Sequence, residues 1–87
     1  MKVNAYKVRL LEDIADAVYA KDHCQQKAWE YVGLDKDSTT AKDYFQSVKS
    51  WTEKIDGLME LADQQKIKFS EIKNAVEKKY RAMEETT

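Results

Sequence analysis

Four carboxylates stand in two pairs at one-turn spacing, Asp13 with Asp16 and Glu53 with Asp56. Acids at i, i+3 on two facing helices are a donor set that can hold Mg²⁺. The requirement is direction, because metal ligands in a helical bundle must project inward. Asp16 lies almost opposite the apolar stripe of its segment, and Glu53 is similarly opposed to that of the second pair. These acids are therefore expected on solvated faces, with no metal and no cofactor. A second cluster, Asp22, His23 and Cys24, has the residue types of a metal or nucleophile site. Consecutive helical side chains point about 100° apart and cannot converge. The sequence holds one His and one Cys in all, so neither a zinc site nor a Cys-His pair can be completed. His23 is expected to face solvent and Cys24 the core. Residues 66–81 carry Lys66, Lys68, Lys73, Lys78, Lys79 and Arg81 against Glu71 and Glu77, a local net of +4, where residues 1–65 come to −3. Such asymmetry can form a basic patch, but these cations scatter around a helix where a nucleic-acid reader would gather them on one side.

The elements that must position these groups are helices. Proline is absent and glycine occurs twice, at Gly33 and Gly57, which removes most of the chemistry of tight turns. Val3, Tyr6, Leu10, Ile14, Ala17, Val18, Cys24, Ala28 and Val32 share one side of a first helix spanning about residues 5–32. Asn4 suits its N-cap, and Val3 and Val8 occupy the positions of a hydrophobic staple. Gly33 is expected to end it in a left-handed conformation, with Leu34 folded back onto Trp29. Asp22, His23 and Cys24 are poor helix formers in succession, so a break near residue 22 would give a fourth helix.

Beyond the polar loop GLDKDSTT, Thr40 followed by Asp43 gives a capping-box-like start to a second helix over about residues 41–65. Its stripe is Ala41, Tyr44, Phe45, Val48, Trp51, Ile55, Leu58, Met59 and Ala62. The phase breaks at Ile67, which places a turn there, with Ser70 capping a third helix over about residues 71–85. That helix carries Phe69, Ile72, Val76, Tyr80 and Met83 inward, and Glu84 to Thr87 are expected to fray. The fold expected is all-α: a single domain, residues 1–87, built as an antiparallel three-helix bundle of two long helices and a shorter C-terminal one. At 1.5 Å per residue they measure about 42, 38 and 22 Å, so the third covers only part of the other two.

Helix one has more apolar surface than one buried face requires. Val8, Leu11, Ala15, Tyr19 and Trp29 widen its inward arc to more than half of the circumference. Either helix one is central, or this outer arc meets another chain. The five residues are the candidate partner-binding set, for another protein or a second copy in a homodimer.

Two resemblances attach to particular segments. In its paired acids, and in the rhythm of EKIDGLMELADQQKIKFSEIKNAVEKKYR from Glu53 to Arg81, the chain resembles the MazG-type nucleoside triphosphate pyrophosphohydrolases. That resemblance implies Mg²⁺ held by Asp13, Asp16, Glu53 and Asp56. The first pair is Asp-x-x-Asp where the family has Glu-x-x-Glu, and the gap between the pairs is longer. QQKIKFSEI resembles the turn before the last helix of immunity proteins for pediocin-type bacteriocins, which are small helical bundles.

Charged residues make up 36 % of the chain and hydrophobic ones 43 %, with 15 cations against 16 acids. That balance belongs to a folded domain and gives no electrostatic reason to favour nucleic acid or an anionic membrane. No apolar run of about 20 residues is present to span a bilayer. The opening residues turn acidic too soon for a signal peptide, and a lone cysteine gives no support to an oxidising compartment; a cytoplasmic location is expected. The function expected is a non-catalytic helical module for protein-protein interaction, such as a small bacterial or phage-encoded inhibitor, adaptor or immunity-type factor. The alternatives are the Mg²⁺-dependent pyrophosphohydrolase and a weak nucleic-acid binder using the basic third helix.

Overall fold

The computed structural model describes residues 5–85. Three α-helices follow in order, α1 (Ala5–Leu34), α2 (Thr39–Gln64) and α3 (Phe69–Glu85), with no strand among the described residues. The all-α three-helix architecture is as the apolar periodicity implied. The break near residue 22 is absent, since α1 runs through it without interruption. Three weak helix formers cost a few tenths of a kcal/mol each, less than the packing that holds α1 straight on both sides of that point. No helix among the described residues is long and apolar enough to cross a membrane.

The helix ends differ from expectation in instructive ways. Asn4 and the staple from Val3 lie outside the described residues. At the other end of α1, Gly33 does not terminate the helix, because no glycine has a positive φ and α1 continues to Leu34. Asp35 makes the turn instead. Its N–H donates to the Tyr31 carbonyl at 2.9 Å, its carboxylate accepts from the Asp37 N–H at 3.0 Å, and its carbonyl accepts from the Ser38 N–H at 3.1 Å. Asp does this readily because its short carboxylate mimics a backbone acceptor two residues ahead. Leu34 is left 82 % exposed rather than folded back over the helix.

The cap of α2 is Ser38, whose Oγ accepts from the Ala41 N–H at 3.1 Å, and not Thr40. In the run Ser38-Thr39-Thr40 any hydroxyl can cap, and the turn built on Asp35 selects the first. α2 ends with Lys66 at φ 57°, the Lys66 N–H donating to the Asp63 carbonyl and the Ile67 N–H to the Ala62 carbonyl, both at 3.0 Å. These two bonds define a Schellman motif with Ile67 as its apolar clasp. The off-phase position of Ile67 is thus explained: it is buried against the core from outside either helix. α3 starts at Phe69, and its N-terminal acceptor is Glu71, whose carboxylate takes the Lys68 N–H at 3.0 Å, so Ser70 is not the cap.

α1 and α2 form an antiparallel hairpin, and α3 returns parallel to the N-terminal half of α1. Lys7 meets Glu71 at 2.7 Å, Asp16 meets Lys79 at 2.9 Å, and the Tyr80 hydroxyl donates to Asp22 at 3.0 Å. The hydrogen bond from Lys7, joined by that from the Lys68 backbone, holds the Glu71 carboxyl below its ordinary range. α2 and α3 both lie along α1, with no close backbone approach to each other. α1 is therefore the central helix, which accounts for the width of its apolar arc.

The core is thin. Leu10, Ile14, Ala62, Ile67 and Ile72 form one buried cluster, edged by Leu11, Val18, Leu58, Met59 and Val76. The other buried positions are alanines, Ala15, Ala17, Ala28 and Ala41, and Ile14 is the only large side chain that is fully buried among the described residues. The radius of gyration is 15.3 Å, against about 12 Å for a compact chain of this length. The accessible surface is 6824 Å², which exceeds the roughly 5,300 Å² of a compact monomer of this mass by 1,000 Å² or more.

Candidate functional site

The groups that suggested chemistry do not assemble. Asp13, Asp16, Glu53 and Asp56 are all exposed, and Asp16 is engaged by Lys79. Among the described residues no group of three metal-ligating side chains comes together. Asp22, His23 and Cys24 diverge as helix geometry demands. Asp22 turns toward α3, where it accepts from Tyr80 at 3.0 Å and from Gln26 at 3.3 Å. His23 is exposed, its ring stacked on Tyr19 at 6.4 Å, and Cys24 is half-buried. Tyr80 packs edge-on against Tyr19 at 5.4 Å. Burial, reinforced by the bond to the Asp22 carboxylate, pushes the Tyr80 phenol up to about 12. The bond between Tyr80 and Asp22 ties the end of α3 to α1.

The basic residues of α3 also divide. Lys79 pairs with Asp16 and lies 5.8 Å over the Tyr19 ring, Arg81 reaches Glu77 at 3.8 Å, and Lys78 borders a recess against Glu12 and Asp16 on the α1 side. Lys73 stands elsewhere, on the face turned toward α2. No single positive surface results.

Of the residues expected to bind a partner, three are taken up inside the bundle. Ala15 is buried beside Ala75 and Ala82, small against small, where α3 crosses α1. Leu11 packs on the core cluster and Tyr19 on Tyr80. Val8 and Trp29 remain 42 % and 60 % exposed. Trp29 sits in the two-helix end of the molecule, edge-on to Phe45 at 5.3 Å, next to a stacked Tyr31–Tyr44 pair at 5.8 Å.

Apolar side chains also line a groove between α2 and α3. Because α2 and α3 flank α1 without closing on each other, it is left between them with a volume of about 300 Å³. Ile14 and Val18 form its floor, Ile55 and Met59 the α2 wall, and Phe69, Ile72 and Val76 the α3 wall, with Lys73 beside them. No polar surface is presented inside it. Past Met59 it continues into a recess of about 220 Å³ reached by Asp63 and Ile67. Phe69, expected to point inward, is 72 % exposed at this end. As the first residue of α3 it precedes the point where that helix settles onto α1, so its ring borders the groove instead of filling the core.

The periodicity of α2 and α3 had already marked Ile55, Met59, Ile72 and Val76 as apolar. That Ile55, Met59 and Val76 would stay only half-buried beside the core was not visible, since a stripe on one helix does not say which neighbour covers it. A groove of this form can accept apolar side chains from another helix. Among the described residues, Lys73 is the one ionisable side chain along it, and Asp63 the one in the adjoining recess. No family model matches the sequence, and no curated protein and no solved structure matches the chain.

Proposed function

We propose that this chain is a non-catalytic helical interaction module whose docking surface is the groove between α2 and α3. The observation that carries the proposal is an apolar channel, floored by Ile14 and Val18, in a molecule with only one large side chain fully buried among its described residues. An apolar groove of this form is a surface that another protein's apolar side chains can cover. Val8 and Trp29, from the outer arc of α1, are the secondary contacts. The class of protein that fits is the small inhibitor, adaptor or immunity-type factor, which acts by occupying the surface of another chain. Magnesium chemistry would need Asp13, Asp16, Glu53 and Asp56 to converge, and their exposed positions give it no support.

The test is protein association measured by light scattering and sedimentation. Val76→Asp and Ile55→Asp are expected to abolish association while circular dichroism shows the helices retained. Association that survives both substitutions, or Mg²⁺-dependent release of pyrophosphate from nucleoside triphosphates by the unaltered chain, overturns the proposal.

A further inference from the structure

We infer that the recess between the Tyr19–Gln26 stretch of α1 and the last turns of α3 is a binding site for a guanidinium group. It shares no lining residue with the groove between α2 and α3, so it stands independently of what that groove binds.

Helix spacing builds the site. Tyr19, Asp22, His23 and Gln26 follow one another at i, i+3, i+4 and i+7 along one face of α1, and Tyr80, Met83 and Glu84 do the same at i, i+3 and i+4 on α3. Together they line a recess of about 230 Å³, room for a guanidinium group and part of its alkyl stem.

The walls favour a cation. The Tyr19 and Tyr80 rings meet at 64° with centroids 5.4 Å apart, and the His23 imidazole lies nearly parallel to Tyr19 at 6.4 Å. Tyrosine π faces attract positive charge that comes within about 6 Å of the ring centroid, and the Met83 thioether beside them is polarisable. Asp22 and Glu84 add two carboxylates, whereas no Lys or Arg among the described residues lines the recess. Tyr19 already attracts one cation, the Lys79 ammonium 5.8 Å over its ring. That ammonium is held by Asp16 at 2.9 Å and borders the neighbouring recess, so it does not fill this one.

Hydrogen-bonding capacity selects among cations. The Tyr80 hydroxyl and the Gln26 amide both donate to Oδ2 of Asp22, at 3.0 and 3.3 Å, which leaves Oδ1 to another donor. The Tyr80 phenol, pushed up to about 12 by burial and by this bond, keeps its proton at neutral pH and orients the carboxylate without neutralising it. The Gln26 side-chain carbonyl and the Glu84 carboxylate are further acceptors at the rim. A quaternary ammonium has no N–H for these oxygens, and a primary ammonium has no flat face for the rings. A guanidinium brings five N–H donors in one plane, and that plane also stacks on aromatic faces.

Titration of the Tyr19, His23 and Tyr80 ring resonances by nuclear magnetic resonance tests the assignment, with butylguanidinium, butylammonium and the neutral isostere butylurea as probes. Butylguanidinium is expected to give saturable shifts with a Kd of roughly 1–10 mM. Butylammonium should bind several-fold more weakly, and butylurea should give no saturable shift. Asp22→Asn should weaken butylguanidinium about tenfold. Glu84→Gln, at an exposed position where solvent screens the charge, should weaken it about two- to fourfold. Circular dichroism verifies that both variants keep their helices; were Asp22→Asn to unfold, Glu84→Gln and the neutral isostere still decide. Val76→Asp, in the groove, should leave the titration unchanged, which separates this site from the groove. The tripeptide acetyl-Ala-Arg-Ala-amide distinguishes two sources of the group. Binding tighter than that of butylguanidinium points to an arginine of another protein, and equal or weaker binding to a small free guanidine. No saturable shift up to about 100 mM butylguanidinium, an equal response to butylurea, or a Kd that neither carboxylate substitution changes overturns the inference.

Discussion

The hairpin of α1 and α2 has two halves that differ in how they are held. In the first, where α3 lies along α1, an aliphatic cluster of Leu10, Ile14, Ala62, Ile67 and Ile72 excludes water. In the second, toward the loop at residues 35–38, two helices meet alone, and only Ala28 and Ala41 are buried. Large side chains are not lacking there. Trp29, Phe45, Tyr31 and Tyr44 pair ring to ring across the interface, but two helices have only one contact seam, so the rings stay partly in water. The lesson is that a third helix, and not the size of the side chains, converts apolar residues into buried ones.

The largest consequence falls on Ile14. Ile14→Ala removes the one large, fully buried side chain among the described residues and is expected to cost about 2–5 kcal/mol in denaturant unfolding, a substantial share of the stability of so small a domain. Trp29→Ala deletes a larger side chain from the two-helix half. It is expected to cost only about 0.5–1.5 kcal/mol, the worth of a partly solvated aromatic pair. If the two substitutions cost the same, the halves are not different in kind. Hydrogen exchange gives a second measure: amides near Ala28 and Tyr44 should open at lower free energy than those near Ile14 and Leu58.

Tyr80 stands where the halves meet, and its bond to Asp22 fixes how far α3 reaches along α1. Tyr80→Phe keeps the ring against Tyr19 and removes the hydroxyl, at an expected cost of about 1 kcal/mol. The sign of the pH effect follows from the phenol standing at about 12 when folded against 10.0 unfolded. Its contribution is complete below pH 10 and is lost as pH rises toward 12. Unfolding measured across that interval should show a loss of stability in the parent chain that is smaller in Tyr80→Phe. Equal slopes in both proteins would mean that the bond does not hold the boundary.

Periodicity gave the three helices because burial on one face imposes a 3.6-residue repeat that survives any choice of neighbour. The helix ends were less readable, since several residues compete to do the same job. Ser38 and Thr40 are equivalent caps until Asp35 makes its turn, and Gly33 is a plausible terminator until that turn makes it unnecessary. Lys66 is the clearest case. A lysine in the left-handed region costs about 1–2 kcal/mol, and nothing in its identity announces it. The burial of Ile67 one residue later offsets that cost. The groove was half readable. Its wall residues were apolar by pattern, but Leu11, Ala15 and Tyr19 had an equal claim to be open surface until α3 was seen to lie over them. The direction of Asp16 and Glu53 was fixed by the same repeat, and both proved exposed.

The two glycines give the finest comparison of the halves. Gly57 and Gly33 are both helical, both have ordinary φ, and a Cβ at either would meet no atom within 4 Å. Alanine therefore fits both, and the difference between them can come only from how firmly each backbone is held. Gly57 lies in the middle of α2, beside the cluster built on Ile14, where the helix is formed whenever the protein is folded. Gly57→Ala should recover nearly the full helix-propensity difference, raising stability by about 0.5–1 kcal/mol. Gly33 is in the last turn of α1, in the two-helix half, where the helix is expected to open without global unfolding. There the same substitution should yield only about 0.1–0.3 kcal/mol, because propensity counts in proportion to the time a residue spends helical. Equal gains at the two sites, read from the midpoints of urea unfolding, would show that α1 is as firmly held beyond Ala28 as α2 is beside Ile14, and that the aromatic pairs do the work here assigned to α3.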